Sequence, residues 1–299
     1  MLAFLTLLWG SSFLLIKIAS RAFDSAGFAF GRAGIAAAAL VVVALAMRWR
    51  WPRSPRLWGQ MAAMSLAGQV LPFLLFGVAA HLTTSADMAL MMGGVPIFTF
   101  VIARLFALGE VWNARAAFGL ALGLIGVAVS LASPLGSAAV ATASEPGLGR
   151  ALALLGALGY ATGALLSRPV SREIGAAMAA TGSMAVSAGL LLVLVLALDG
   201  LPSPAALAAT PLGPLAALCA LGLFNTALAY FIYFRLIASA GATFAALNNY
   251  IVPCFGLLAG AWTLGEPVGP SSWIGMACVL GGVVVTGSAA NASRVIAKR

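Results

Sequence analysis

Ten apolar runs follow one another along this chain, each close to the roughly 20 residues a helix needs to cross a bilayer. They cover 2–20, 26–47, 57–80, 83–107, 114–133, 149–168, 174–198, 214–238, 241–264 and 271–289. The longest gaps, 134–148 (PLGSAAVATASEPGL) and 199–213 (DGLPSPAALAATPLG), are rich in Gly, Pro, Ser and Ala and read as loops. A backbone N–H or C=O finds no water in hydrocarbon, so a run of this kind is stable only as a helix that satisfies itself. With 8% charged and 63% hydrophobic residues, the chain also lacks the roughly 25% of charged residues that a water-facing surface uses. The expected fold class is therefore all-α integral membrane, with ten transmembrane helices and the lipid bilayer as a partner.

The formal charge of +9 bears on topology rather than on nucleic acid, because the arginines sit in the short gaps. With the N-terminus in the cytoplasm, twelve basic residues (Arg48, Arg50, Arg53, Arg56, Arg104, Arg115, Arg168, Arg172, Arg235, Arg294, Lys298 and Arg299) fall on that side. Four (Lys17, Arg21, Arg32 and Arg150) fall on the other. Cytoplasmic loops carry the excess of Lys and Arg, so both termini are expected in the cytoplasm, as an even number of spans requires. The first run lacks the basic n-region and cleavage site of a signal peptide and is expected to remain. Cys219, Cys254 and Cys278 lie inside apolar runs without CxxC spacing and read as small buried hydrophobes.

The phrase ALGE at 107–110 returns as TLGE at 263–266, each after a run with an internal proline, Pro96 or Pro253. Laying 1–131 over 150–288 matches Trp9 with Tyr160, Lys17 with Arg168, Phe73 with Tyr230 and Phe76 with Tyr233. Gly119 and Gly126 then meet Gly275 and Gly282. The chain reads as two five-helix units, and because five is odd the second must enter the membrane from the opposite side. Inverted repeats around a central cavity are the architecture of secondary transporters.

The motifs also resemble a known family. LLWGSSFLLIKIA at 7–19 is similar to the opening of the EamA-type modules of the drug/metabolite transporter superfamily. The proline-containing fourth run ending in LGE, the Gly-rich GLALGLIGVAVS at 119–130, and their echoes VPCFGLLAGAWTLGE at 252–266 and GMACVLGGVVVTGS at 275–288 resemble the module's end. The resemblance divides the chain into a first module at 1–133, a linker at 134–148, a second, inverted module at 149–289 and a basic cytoplasmic tail at 290–299. Within the superfamily the chain looks most like YddG-type exporters of aromatic amino acids and related metabolites. That resemblance implies alternating-access export of a small molecule across a bacterial inner membrane, with no cofactor. A monomer is expected; the small-xxx-small pairs Gly119/Gly123 and Gly256/Gly260 permit close helix contact and leave a dimer open.

Candidate site residues follow from polar atoms in apolar runs, since lipid offers such atoms nothing. Gln69, Phe73 and Phe76 share one face of the third run, and Thr226, Tyr230 and Tyr233 the matching face of the eighth. Trp9, Ser12 and Ile16 line a face of the first, and Tyr160 and Gly163 the matching face of the sixth. Met92, Asn248 and Asn249 complete the expected cavity. Its aromatic, weakly polar character suits an apolar or aromatic amino acid, while ordinary helix packing explains any one of these residues as well.

Pro72, Pro96 and Pro253 are candidate hinges. Each removes the N–H that would bond to the carbonyl four residues earlier, at Gly68, Met92 and Asn249, and either a substrate ammonium or, at a simple kink, Ser, Thr or water must satisfy it. His81 and Asp87 lie towards the outer side and are candidates for an outer gate or a proton-linked group, with Lys17 and Arg32 near enough to pair with Asp87. Glu110 and Glu266 follow helix-ending glycines and precede the next helix, a structural position.

Other functions are disfavoured by what the residues lack. One histidine, no HExxH, no GxGD and no paired intramembrane carboxylates speak against an intramembrane enzyme or a metal site. No charged ring or filter suggests a channel. Sugar-phosphate or nucleotide-sugar carriage, the main rival, would call for Lys or Arg midway along the fourth and ninth runs, where Met91, Met92, Asn248 and Asn249 stand.

Overall fold

The computed structural model describes residues 2–106, 114–131, 144–198, 200–240, 248–265 and 268–296. They form α1 (Leu2–Ala19), α2 (Ser25–Ala46), α3 (Pro55–Leu82), α4 (Ser85–Leu105), α5 (Ala114–Leu131) and α6 (Pro146–Ile174). Then come α7 (Ala176–Leu198), the short α8 (Pro204–Ala209), α9 (Leu212–Leu236), α10 (Asn248–Leu264) and α11 (Pro270–Ile296). No strand occurs among the described residues. Six helices, α2, α3, α4, α6, α7 and α9, are long and apolar enough to cross a membrane, and shorter apolar stretches lie at Phe4–Ala19, Ala117–Gly126 and Val252–Leu264.

Helix ends follow local chemistry. Asp24 caps α2 by accepting the Gly27 N–H at 2.6 Å, and Thr84 caps α4 by accepting the Asp87 N–H at 3.0 Å. Gly265, at φ +64°, supplies the left-handed residue that ends α10; Glu110 and Glu266 lie outside the described residues. Several boundaries differ from the sequence expectation, and α6 runs on to Ile174 past the expected 168. The loop at 199–213 contains α8, capped by Ser203. Helix α6 starts at Pro146, a residue pre-set for a first turn, inside the expected linker. Helix α11 continues to Ile296, into the expected tail.

Two of the long helices are interrupted by a π-turn, α3 at Leu66–Val70 and α9 at Leu223–Leu228. The offset that matches Phe73 with Tyr230 lays one interruption on the other. A π-turn inserts a residue and frees backbone groups, so it marks a functional position more often than a chance defect. In α3 it lies directly before Pro72.

The helices pack mainly across the two halves. Helix α5 lies on α11, α2 on α7, α3 on α6, α1 on α9 and α10, and α4 on α6 and α10. Exchanging α1 with α6, α2 with α7, α3 with α9, α4 with α10 and α5 with α11 returns the same set of pairs. The α5–α11 crossing repeats this reciprocity in its glycines. A Cβ on Gly126 would stand 2.6 Å from the Gly275 carbonyl oxygen, and one on Gly282 would collide with the Gly119 carbonyl. The matched glycines thus meet in exchanged pairs, and Gly119 and Gly123 serve packing inside this chain. Gly256 does the same, pressed on Ala89 of α4.

The burial pattern suits a membrane protein. Large apolar side chains lie outside, such as Leu105 at 76% and Trp262 at 94% exposure, while Arg32, Gln69, Thr181, Ser183, Asn225 and Asn248 lie inside. Near the basic segment Arg48–Arg56, Trp51 and Trp58 stack with centroids 6.3 Å apart, as aromatic belts do at a membrane surface.

Candidate functional site

A cavity of about 60 Å³ lies between the halves. The first half contributes Trp9, Ser12, Phe13, Ile16, Arg32, Met64, Gly68, Gln69, Phe76, Met92 and Val95, and the second Tyr160, Gly163, Ala164, Tyr230, Tyr233, Phe234 and Val252. Its walls are aromatic. The Trp9 ring lies 4.8 Å from that of Tyr233 and 5.9 Å from that of Tyr230, and Phe76 stands between Phe13 at 5.6 Å and Tyr160 at 5.9 Å. Contacts of this geometry contribute about 0.5–1.5 kcal/mol each beyond buried area, so the rings form a supported wall.

Most polar atoms around the cavity are engaged with protein partners. The Gln69 amide donates to Ser183 Oγ at 3.0 Å and accepts from Ser187 Oγ. Asn225, in the π-turn of α9, donates to the Leu8 carbonyl and to Ser11 and Ser12 Oγ at 3.0 and 3.1 Å, and its own carbonyl accepts from Trp9 Nε1 at 3.2 Å. Asn225 thereby fixes both Trp9 and Ser12. Sequence reasoning passed over it, although an amide inside an apolar run is the available signal. Arg32 was passed over as a cavity residue for a different reason: its place in the second run assigned it to the outer side.

Arg32 is 2% exposed. Its Nε donates to Thr226 Oγ1 at 2.8 Å, and its guanidinium carbon lies 4.1 Å from the Phe73 ring centroid. The repeat offsets match Arg32 with Ser183 and Gln69 with Thr226, so Arg32–Thr226 and Gln69–Ser183 are counterparts. One pair holds a charge where the other holds a hydroxyl.

The sequence pattern of the EamA-like transporter family matches residues 1–132 and again 147–288. The chain belongs to the EamA-like transporter family. A solved crystal structure, 20% identical, agrees with a TM-score of 0.69 over 97% of this chain and 96% of that one, which supports the fold alone. No curated protein matches the chain. The family makes it a multi-pass membrane transporter of small molecules, and its two matched segments coincide with the two halves that enclose the cavity.

Of the residues singled out in the sequence of this EamA-like protein, Trp9, Ser12, Gln69, Phe76, Met92, Tyr160, Tyr230 and Tyr233 line the cavity. Phe73 and Thr226 stand behind it, supporting Arg32. Asn248 is buried and accepts from Thr6 Oγ1 at 2.7 Å; the side chain of Asn249 lies outside the described residues.

Two of the three carbonyls opened by proline are used within the protein. The Gly68 carbonyl, opened by Pro72, accepts from Tyr230 Oη at 3.2 Å. The Met92 carbonyl, opened by Pro96, accepts from the Val95 N–H at 3.0 Å, and α4 is broken at Met92–Gly93. Pro253 sits inside the continuous α10.

Asp87 is 7% exposed, and the ion pair recorded for it among the described residues is with Arg150. Arg150 Nε lies 3.1 Å from its Oδ1, with the N–H not aimed along that line, and Thr83 Oγ1 donates to its Oδ2 at 2.7 Å. Lys17 Nζ donates to the carbonyls of Ala80 and Thr83, at 2.6 and 2.7 Å. The orphan carbonyls at the end of α3 draw the ammonium, and α6 brings Arg150 to the start of α4. His81 is exposed at the same end of α3.

Proposed function

We propose that this protein is a secondary transporter that exports amino acids, apolar and aromatic ones favoured, from the cytoplasm of a bacterial cell by alternating access. The carrying observation is the aromatic cavity built jointly by the two matched halves. On this reading ten helices form two inverted five-helix repeats around it, and both termini lie in the cytoplasm. The packing that survives exchange of the halves supports a two-fold relation between them, as do the reciprocal glycine contacts and the repeated π-turns, and the odd number of helices per half makes that relation an inversion. Exchanging the halves' conformations then opens the cavity to either side. The deciding experiment is counterflow in proteoliposomes across the twenty amino acids. Saturable, trans-stimulated flux of apolar amino acids is expected; linear flux without trans-stimulation would make the protein a channel.

The cavity wall makes its own prediction. Trp9→Ala and Tyr230→Ala are each expected to weaken transport several-fold, with folded protein retained in the membrane, because each removes a ring contact of about 0.5–1.5 kcal/mol. Tyr230→Phe keeps the ring and removes only the bond to Gly68, so it isolates the hydroxyl's part. Normal transport by both alanine variants would place the substrate elsewhere.

For topology, reporters active only in the cytoplasm are expected to work when fused after Arg299 or near Arg53, and to fail at Ser144. A C-terminus outside the cytoplasm would overturn both the orientation and the inversion.

On this orientation the Asp87–Arg150 pair joins the outer ends of α4 and α6 and serves as an outer gate, with His81 at the outer end of α3. Asp87 is held by Arg150 and Thr83 and His81 lies at a helix end, so neither is placed for alternating exposure to both sides. Transport is therefore expected to run down the substrate gradient. An imposed proton gradient without a substrate gradient should produce no accumulation in proteoliposomes; robust accumulation lost in Asp87→Asn would assign the coupling to that carboxylate.

A further inference from the structure

Arg32 is the charged side chain in the cavity wall, and among the described residues it faces no acid. Asp87 is engaged by Arg150, Asp24 caps α2, and Glu145 and Glu173 are exposed at helix ends. A guanidinium does not lose its proton in a protein, so the charge persists where burying it is costly. Phe73 and Thr226 support one face and one edge. Nη1 makes no hydrogen bond among the described residues, while Tyr160 of the other half lies near enough to interact with the guanidinium by charge and by hydrogen bond.

We propose that Arg32 anchors the carboxylate of the transported molecule, with the Trp9, Tyr230 and Tyr233 rings receiving its ammonium or apolar portion. This deepens the transporter reading and rests on it. A carboxylate accepts hydrogen bonds from a guanidinium in its own plane, and one such group neutralises one buried charge. A phosphate dianion would leave an excess negative charge in the same wall. Aromatic faces attract an ammonium through their quadrupole, so the two charges of a zwitterion find different partners in the same cavity wall. At about 60 Å³ and roughly 10–15 Å³ per water, the space holds about four to six waters, which fits a short α-amino acid or a small monocarboxylate. A larger side chain requires the rings to part.

The test compares charge at constant shape. The purified full chain in detergent is titrated with L-alanine, L-leucine and L-phenylalanine, with the amide of each, and with inorganic phosphate, following the ligand-induced shift in melting temperature. Each acid is expected to bind about 10- to 100-fold more tightly than its amide, the range for hydrogen bonds to a charged group. Arg32→Gln should erase that preference while amide affinity stays within about twofold. Thr226→Val, which keeps the charge and removes its tether, should weaken acids several-fold and amides little. If Arg32→Gln does not fold, the wild-type acid-to-amide ratio and Thr226→Val still decide. Equal binding of acids and amides, preference retained in Arg32→Gln, phosphate binding more tightly than every carboxylate, or no binding of any carboxylate would each overturn the assignment. Acid-selective binding without counterflow would keep the anchor and remove the transporter reading; counterflow without acid selectivity would do the reverse.

Discussion

Asp87→Ala is expected to destabilise the folded protein by about 3–5 kcal/mol, the range for removing one partner of a buried ion pair. In a domain of a few hundred residues that corresponds to a melting temperature lower by on the order of 10 °C. The cost arises because Arg150 stays behind, its side chain only 6% exposed, and cannot shed its charge. Arg150→Met should cost less, since Thr83 Oγ1 still donates to the carboxylate that is left. The double variant Asp87→Leu/Arg150→Met removes both charges of the pair and is expected to recover most of the loss. Thermal unfolding of the four proteins in one detergent checks this. An effect below about 1 kcal/mol in Asp87→Ala, or a double variant no better than the worse single one, would show that this pair does not hold α4 to α6.

Gly126→Leu is expected to abolish accumulation of folded protein. Its Cβ would stand 2.6 Å from the Gly275 carbonyl, 2.8 Å from the Val279 nitrogen and 2.9 Å from the Cys278 Cβ. The first two are backbone atoms of a helix and cannot turn aside as the tip of a side chain would. Overpacking usually costs about 1–3 kcal/mol, with more at rigid sites, and here it would force α5 from α11 along the crossing. Gly282→Leu, its counterpart against Gly119, should behave alike. Gly189→Ala, where nothing stands within 4 Å, is the control, and should be neutral or stabilising because alanine favours helix by about 1 kcal/mol. Wild-type yield and melting of Gly126→Leu would mean that α5 and α11 are not in close contact in the membrane.

The same glycines show what a sequence carries and what it omits. Gly119, Gly126, Gly275 and Gly282 were visible as a repeated pattern, but whether they pack inside the chain or between chains was not. Packing between α5 and α11 decided it, because the backbones approach where the glycines cross. Asn225 and Arg32 went unread for a related reason. Polarity in an apolar run announces an inward face, but the partner is another helix remote in sequence, Leu8–Ser12 in one case and Thr226 in the other.

The sequence by itself determined the all-helical membrane character, since a chain this apolar can satisfy its backbone in lipid only by helices, and it determined the duplication that the family match follows. It also marked where prolines open the backbone. Tertiary structure decided that Tyr230 closes the opening at Gly68, whereas at Met92 a local turn with the Val95 N–H does so. It also paired Asp87 with Arg150, and turned Arg32 towards a cavity. The physical reason is that period and composition fix which face of a helix avoids lipid, whereas a buried charge or carbonyl takes whichever partner the crossing of two helices brings within about 3 Å.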